Sequence, residues 1–378
     1  MGRSTAAENP FLLPAAQFVA PVCFNEVSQS SDRQTMNRRQ FNQTMAALGA
    51  VATLPAFARL TDVMAKPEIE QKKSLVRIGL VSVGGADGNT VAAIAKGLPY
   101  ITQTIAIDTD AFALSSAGAD RKVLIGNGAH RPMHPRQAYN MARAREVQIE
   151  DAIGDLDLVI VMAGLYGAAG KGIAPVVAEI AKRRDIGMLC IAITPAQWQG
   201  VDANPRVRNP MNQIQRAGGI VFPINSQHMA QALGKDAPCV NQAVRNLCAS
   251  VGHAVNQGQI VCLDRDGLRL ALEPGGIAAM GFGSATGTGR VESAINEAIA
   301  HPLLGMDRLL SATGVLVNVR GNAGLHFSEV NEVARGIRSR LTLDPWLLYT
   351  GAIDESAGDQ LVVSILATVP EAAAPAGD

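Results

Sequence analysis

Apolar residues fall along this chain in two rhythms. In the first they run nearly unbroken over short stretches: Leu75–Val81, Thr104–Asp110, Asp157–Met162, Met188–Ile193, Ile220–Asn225, Thr313–Val319 and Gln360–Thr368. Short apolar runs bounded by Gly, Pro, Asn or Asp read as buried strands. In the second they return at helical spacing, as at Val91, Ile94, Ala95 and Leu98, or along Pro175–Arg184, Asn241–Val255 and Arg290–Leu304. The pattern predicts a helix from near Thr90, another opening at Pro175, and a long helix with one apolar face over Asn241–Val255. Twice a strand runs into a glycine-rich turn and then a helix: Leu75–Val81 into Ser82–Asn89, and Asp157–Met162 into Ala163–Gly172. Such a turn is an anion cradle, because backbone N–H groups and the helix dipole converge on it.

The spacing rules out two familiar versions of that cradle. In the second turn Leu165 stands where an ordinary P-loop begins with glycine, and Gly172 replaces its Mg²⁺-binding Ser or Thr. The first turn carries Gly84-Gly85 instead of Gly-x-Gly, so an NAD-type dehydrogenase is excluded, although Asp108 stands at nearly the right distance for its acidic residue.

Composition refines this picture. A chain of 378 residues suggests two domains plus tails. Its formal net charge is zero, which gives no footprint for nucleic acid. The five cysteines, Cys23, Cys190, Cys239, Cys248 and Cys262, are scattered, odd in number and without a C-x-x-C, and so read as reduced thiols of a cytoplasmic protein. The beginning of the chain disturbs that reading. Residues 1–35 are irregular and polar, a disordered leader. Residues 36–58 then carry Arg38-Arg39, Phe41, a mildly apolar stretch and a final Ala-Phe-Ala, within a segment ending near residue 64. This looks like a twin-arginine export signal. It is too short to span a bilayer as an ordinary helix, which needs about 20 residues. A helix lying on a membrane surface and an unremarkable helix remain as alternatives.

The run Ala163-Gly-Leu-Tyr-Gly-Ala-Ala-Gly-Lys-Gly172, followed by Ala174-Pro175, resembles the phosphate signature of the tubulin/FtsZ family. Gly164, Gly167, Gly170, Gly172, Ala174 and Pro175 match it; Tyr166, Ala168, Ala169 and Lys171 depart from it, two of them in place of threonines. The first turn resembles the family's first phosphate loop through Gly84, Gly85, Gly88 and Asn89, with Ala86 and Asp87 in place of glycines. Asp108-Thr109-Asp110 keeps two residues of the family's Asn-Thr-Asp at a strand end, where carboxylates would lie near metal and ribose. A helix N-cap by Asp110 is equally good chemistry there. The family's third loop is replaced by a shorter basic stretch, Gly126–Pro135, whose Arg131 and Arg136 would meet phosphates or face solvent. His130 and His134 in it lack metal-ligand spacing. Gln199 replaces the ribose-binding Glu, Arg206 is a candidate phosphate-side arginine, and Asn225 is a candidate base or ribose contact. His253, on the long helix, reads as packing or surface.

The resemblance also implies a loop that one subunit inserts into the nucleotide site of the next, where its acids orient water. Its match is Cys262-Leu-Asp-Arg-Asp-Gly267: Asp264 keeps the first acid, Gly267 replaces the second, and Asp266 comes one residue early. A carboxylate displaced by one residue moves more than about 3 Å, and about 1 Å can already cost 10²-fold in rate. The same residues also read as a plain turn. Thr286-Gly-Thr-Gly289 is a decoy of the phosphate signature in the second half.

The implied fold is α/β: the tubulin/FtsZ fold, with a Rossmann-like GTPase domain over 72–234, a central helix over 235–257, an α+β C-terminal domain over 258–368 and a short tail, 369–378. The tail lacks the family's adaptor-docking peptide. The implied function is an FtsZ-like cytoskeletal protein in cell division, holding GTP or GDP weakly with Mg²⁺. It would self-associate head to tail, touch the membrane through residues 36–58, and hydrolyse GTP slowly or not at all. The alternative is a non-enzymatic scaffold on a retired GTPase fold, which an export signal would favour.

Overall fold

A computed structural model gives the structure of the protein and describes residues 76–84, 88–128, 133–194, 205–225, 240–256, 259–261, 263, 266–267, 276–342 and 345–369. Residues 36–58 lie outside the described residues. The first half alternates strand and helix. β1 (Ile78–Val83) leads to α1 (Gly88–Ala95), β2 (Ile101–Asp108) to α2 (Ala111–Ser116), and β3 (Arg121–Leu124) to α3 (Pro135–Ala144) and α4 (Glu146–Ile153). Then β4 (Leu158–Gly164), α5 (Ala168–Arg183), β5 (Gly187–Thr194), α6 (Pro205–Arg216) and β6 (Ile220–Asn225) follow. The helix α7 (Val240–Asn256) connects to the second half: β7 (Gln259–Val261), β8 (Gly276–Ala285), α8 (Arg290–Ala300), α9 (Met306–Leu310), β9 (Gly314–Gly321), α10 (Phe327–Arg338), β10 (Trp346–Ile353) and β11 (Leu361–Val369).

Among the described residues eleven strands form one sheet, in the order β3-β2-β1-β4-β5-β6-β8-β11-β9-β10-β7. From β3 to β6 every pairing is parallel. β6 then meets β8 in parallel through Ile220↔Gly276 and Val221↔Ile277, which makes the sheet continuous between the halves. The second half is mixed: β11 runs antiparallel to both β8 and β9, while β9 and β10 are parallel.

Every residue of β1 and of β4 is buried, as expected for parallel strands covered on both faces. Val81 and Val83 join the core beneath α5, with Val176 and Val177, while Ile78 and Leu80 join the core beneath α7, with Leu247 and Val251. That second core also takes in Leu316, Leu348 and Leu366 from the second half. The apolar face of α7 therefore serves both halves of the sheet. Cys190 and Cys248 are free, buried thiols whose ionisation is pushed up to about 12 by desolvation.

His253 fastens the far end of α7. Its ring meets Tyr100 edge-on with centroids 5.2 Å apart, and its Nε2 lies 3.6 Å from Asp354, which accepts from Arg320 at 2.9 Å. Burial and the nearby Arg320 guanidinium push the imidazole down to about 4, so it is neutral at neutral pH. It packs, as its place on an apolar helix suggests.

Candidate functional site

The chain enters the sheet at β1, winds outward to β3, then returns to the other side of β1 at β4. Doubly wound sheets place ligands at such a switch point, beyond the carboxyl ends of the two strands. Here those ends carry glycines in mutual contact. Gly84, just past β1, has φ +41°, and a Cβ on it would lie 2.5 Å from both Ala169 Cβ and Gly170 N. On Gly170 a Cβ would lie 2.3 Å from the Gly164 carbonyl oxygen, and on Gly164 2.8 Å from that of Gly84. Only glycine allows three backbones to close up in this way. The contact draws the N-terminus of α5 into the crevice. Gly172 works elsewhere: a Cβ there would strike the Pro135 oxygen at 2.4 Å, so this glycine lets α3 cross α5 closely.

The helix begins at Ala168, not at Pro175 as its pattern suggests, and Pro175 lies inside it. The glycine run is thus a turn of only Leu165, Tyr166 and Gly167, tied back by Leu165 N–H to the Ile193 oxygen at 2.9 Å. Gly167 is the N-cap residue, and no side chain caps the helix. Its φ of −94° and ψ of 159° suit any residue, and a Cβ there would meet nothing nearer than 3.8 Å. The N–H groups of the first turn, which have no partner within the helix, therefore point into the crevice beside Gly84. This arrangement suits an oxyanion.

The Asp108-Thr109-Asp110 corner stands beside it at the end of β2. Asp108 Oδ1 accepts from Thr109 N (2.6 Å) and Asp110 N (3.2 Å). Asp110 Oδ1 accepts from Phe112 N (2.8 Å) and Ala113 N (3.3 Å), the side-chain cap of α2. The N-cap expected of Asp110 is present, and it is compatible with a ligand role for the same residue. Both carboxylates shape the corner from which any ligand contact would be made.

The two residues that replace threonines face different spaces. Ala169 packs against Gly84, while Lys171 lines a cleft of about 980 Å³ between α3, α5 and α6. Arg136, His134, Tyr139 and Gln213 share that cleft, with the half-exposed Tyr166 at its rim. His134 caps α3: its Nδ1 accepts from Arg136 N at 3.2 Å, and the Gln137 side chain accepts from His134 N at 3.0 Å. Tyr139 and Gln213 were not anticipated. They come from separate helices far apart in sequence, and no local motif marks them.

Gly88 and Asn89 begin α1, whereas Gly85, Asp87, Gln199 and Asp264 lie outside the described residues, as do the side chains of Asn89, Arg206 and Asn225. Asp266 is exposed, next to a buried Gly267.

The comparisons with known proteins divide the chain as the sheet does. Residues 77–234 match the model of the tubulin/FtsZ family GTPase domain, and residues 276–370 match that of the FtsZ family C-terminal domain. Cell division protein FtsZ 1 of Methanocaldococcus jannaschii is 28% identical over 312 residues, covering 79% of this chain and 84% of its own. Cell division protein FtsZ 2 of Haloferax volcanii is also 28% identical, over 78% of this chain and 76% of its own length. Among solved structures, a point mutant of FtsZ from M. jannaschii superposes with a TM-score of 0.70 at 25% identity, covering 84% of this chain and 96% of that one. A GTPγS-bound protofilament of CetZ2 from H. volcanii gives 0.61 at 20% identity over 78% and 93%, a likeness of fold.

Proposed function

The chain belongs to the tubulin/FtsZ family, and on that premise we propose that it is a cytoskeletal protein whose copies associate head to tail under the control of bound guanine nucleotide. The observation that carries the reading is the contact of Gly84, Gly164 and Gly170, which holds the side-chain-uncapped N-terminus of α5 at the switch point of the sheet. Its relatives support the rest: they include two cell division proteins and a structure named as a nucleotide-bound protofilament.

In this reading the phosphates of GTP or GDP rest on the first-turn N–H groups of α5, with Gly84 and its loop opposite. Asp108 and Asp110 fix the corner that flanks them. A Mg²⁺ accompanying the nucleotide would be held chiefly by phosphate oxygens, since Asp108 Oδ1 already takes two backbone N–H groups. Two losses make the site a weak binder and a slow GTPase. Ala169 supplies no hydroxyl beside Gly84, and Gly267 supplies no carboxylate where the inserted loop of the next subunit needs its second acid. Binding would then act mainly through assembly, with Asp264 and Asp266 serving the interface. Residues 36–58 are the segment we assign to membrane attachment; continued membrane association after deletion of 1–64 would refute that assignment.

Calorimetric titration of the full chain with GTP and, separately, ATP tests the nucleotide reading. The expected result is one GTP per chain and at least tenfold weaker ATP. No binding of either would leave a scaffold on a retired GTPase fold.

A further inference from the structure

We propose that the C-terminal end of α7 is a proton-operated latch between the two halves of the sheet. His253, set between Tyr100 of the first half and the Arg320–Asp354 pair of the second, keeps the halves joined while it is neutral and releases them when it takes a proton. Among the described residues the strands of the two halves pair only through Ile220↔Gly276 and Val221↔Ile277. α7 packs across both halves, so the end of that helix bears on how firmly they hold.

Close packing assembles the latch. A Cβ on Gly252 would lie 2.0 Å from the Tyr100 ring, so this glycine lets the ring lie directly on α7. Tyr100 is buried just ahead of β2, and His253 meets its ring edge-on with centroids 5.2 Å apart. From the second half, Arg320 Nη1 donates to Asp354 Oδ2 at 2.9 Å, and the same oxygen lies 3.6 Å from His253 Nε2. Arg320 Nε is buried there without a hydrogen-bond partner.

Charge decides which way a proton acts on this cluster. Asp354 is already engaged: Oδ2 accepts from Arg320, and Oδ1 accepts from Ser356 N at 3.0 Å and Ser356 Oγ at 2.5 Å. Its one negative charge answers that of Arg320, so an imidazolium would leave the cluster with a net positive charge in a site shielded from water. Burial and the Arg320 guanidinium outweigh the pull of Asp354 on the ring, which is pushed down to about 4. Other groups nearby supply no counter-charge. Burial keeps the Tyr100 hydroxyl protonated, and it pushes the Cys248 thiol, earlier on α7, up to about 12. Arg245, also on α7, is tied to the end of α1, donating to the Ile94 and Lys96 oxygens at 2.9 Å each. The proton is therefore taken up by an opened latch, in which the ring reaches water, in preference to the closed one.

The test is amide hydrogen exchange of the full chain, read by mass spectrometry at pH 7 and pH 5 and corrected for the intrinsic rate at each pH. Local opening predicts that α7 from Asn246 to Asn256 exchanges faster than β4. Its exchange should also be insensitive to urea well below the unfolding midpoint, whereas that of β4 should not. With the free imidazole at 6.5 and the closed one at about 4, the open fraction should rise about 20-fold from pH 7 to pH 5. The rise should vanish in His253→Gln, which takes no proton, and shrink to a few-fold in Arg320→Gln, which leaves Asp354 to the imidazolium. The comparison of α7 with β4 needs neither variant nor nucleotide. Exchange of α7 with the rate and urea dependence of β4 would mean that the cluster opens only with the whole fold. That result, the absence of a rise at pH 5, or a rise that persists in His253→Gln would each overturn the proposal.

Discussion

Replacing Gly167 by aspartate should separate the stability of α5 from its capacity to hold a phosphate. The residue is the N-cap, its dihedrals (φ −94°, ψ 159°) are those of an ordinary extended residue, and the nearest atom to an added Cβ is 3.8 Å away. Aspartate is among the best N-caps and gains a few tenths of a kcal/mol over glycine, with about 0.3–1 kcal/mol more from the helix dipole. The fold should therefore be as stable as the parent or slightly more so. The same carboxylate occupies the N–H groups on which a phosphate would rest. Two like charges about 4–5 Å apart at an effective dielectric near 20 repel by roughly 3–4 kcal/mol, a loss of about two to three decades in affinity. Salt at physiological strength, with a screening length of about 8 Å, leaves most of that in place. Thermal melting and GTP calorimetry on Gly167→Asp, with Gly167→Ala as the neutral control, read both quantities. The expected pattern is an unchanged or raised melting temperature, GTP affinity down at least about 30-fold in the aspartate variant, and a change under about threefold in the alanine variant. An aspartate variant that folds and binds GTP like the parent would refute the placement of phosphates at α5.

Three further outcomes follow from the same geometry. Gly84→Ala places a Cβ 2.5 Å from the Gly170 nitrogen at a φ of +41°, so urea denaturation should show a loss of about 2 kcal/mol or more, together with weakened GTP binding. Asp110→Ala removes the acceptor of two first-turn N–H groups of α2 and should cost about 1 kcal/mol of stability in the same assay. The neutral, buried His253 should make the fold acid-sensitive. Its folded value, about 4, lies below the unfolded 6.5, so the unfolded chain binds the extra proton and stability falls as pH drops through that interval. Between pH 7 and pH 5 this amounts to roughly 2 kcal/mol, and His253→Gln should flatten that part of the urea-midpoint profile.

The strands were legible because parallel strands covered on both faces are written as unbroken apolar runs. β4 and β6 appear in the sequence almost residue for residue, and so does the apolar face of α7. The start of α5 was not, because Gly170 and Gly172 look locally like a loop. Their glycines answer to contacts with Gly164 and with α3, which local sequence does not display. The glycine inside β10 is of the same kind: Gly351 is where Val330 of α10 approaches, and a Cβ there would lie 2.7 Å from it. The continuity of the sheet through β6 and β8 is likewise a tertiary fact, resting on Ile220 and Val221 beside Gly276 and Ile277. At the site, the glycines and the Asp108–Asp110 corner were visible as motifs. Their division of labour was not: the sequence offered Asp110 both a cap and a ligand role, and the cap alone is a bond within the chain. The cleft between α3, α5 and α6 draws on three separate helices, so no spacing rule could have assembled it.

Sedimentation velocity of the full chain with and without GTP tests the central claim most directly. A working member of the family should shift from small species to long, polydisperse ones when GTP is added, and fall back when GDP replaces it. Sedimentation that is identical under all three conditions would contradict nucleotide-controlled self-association.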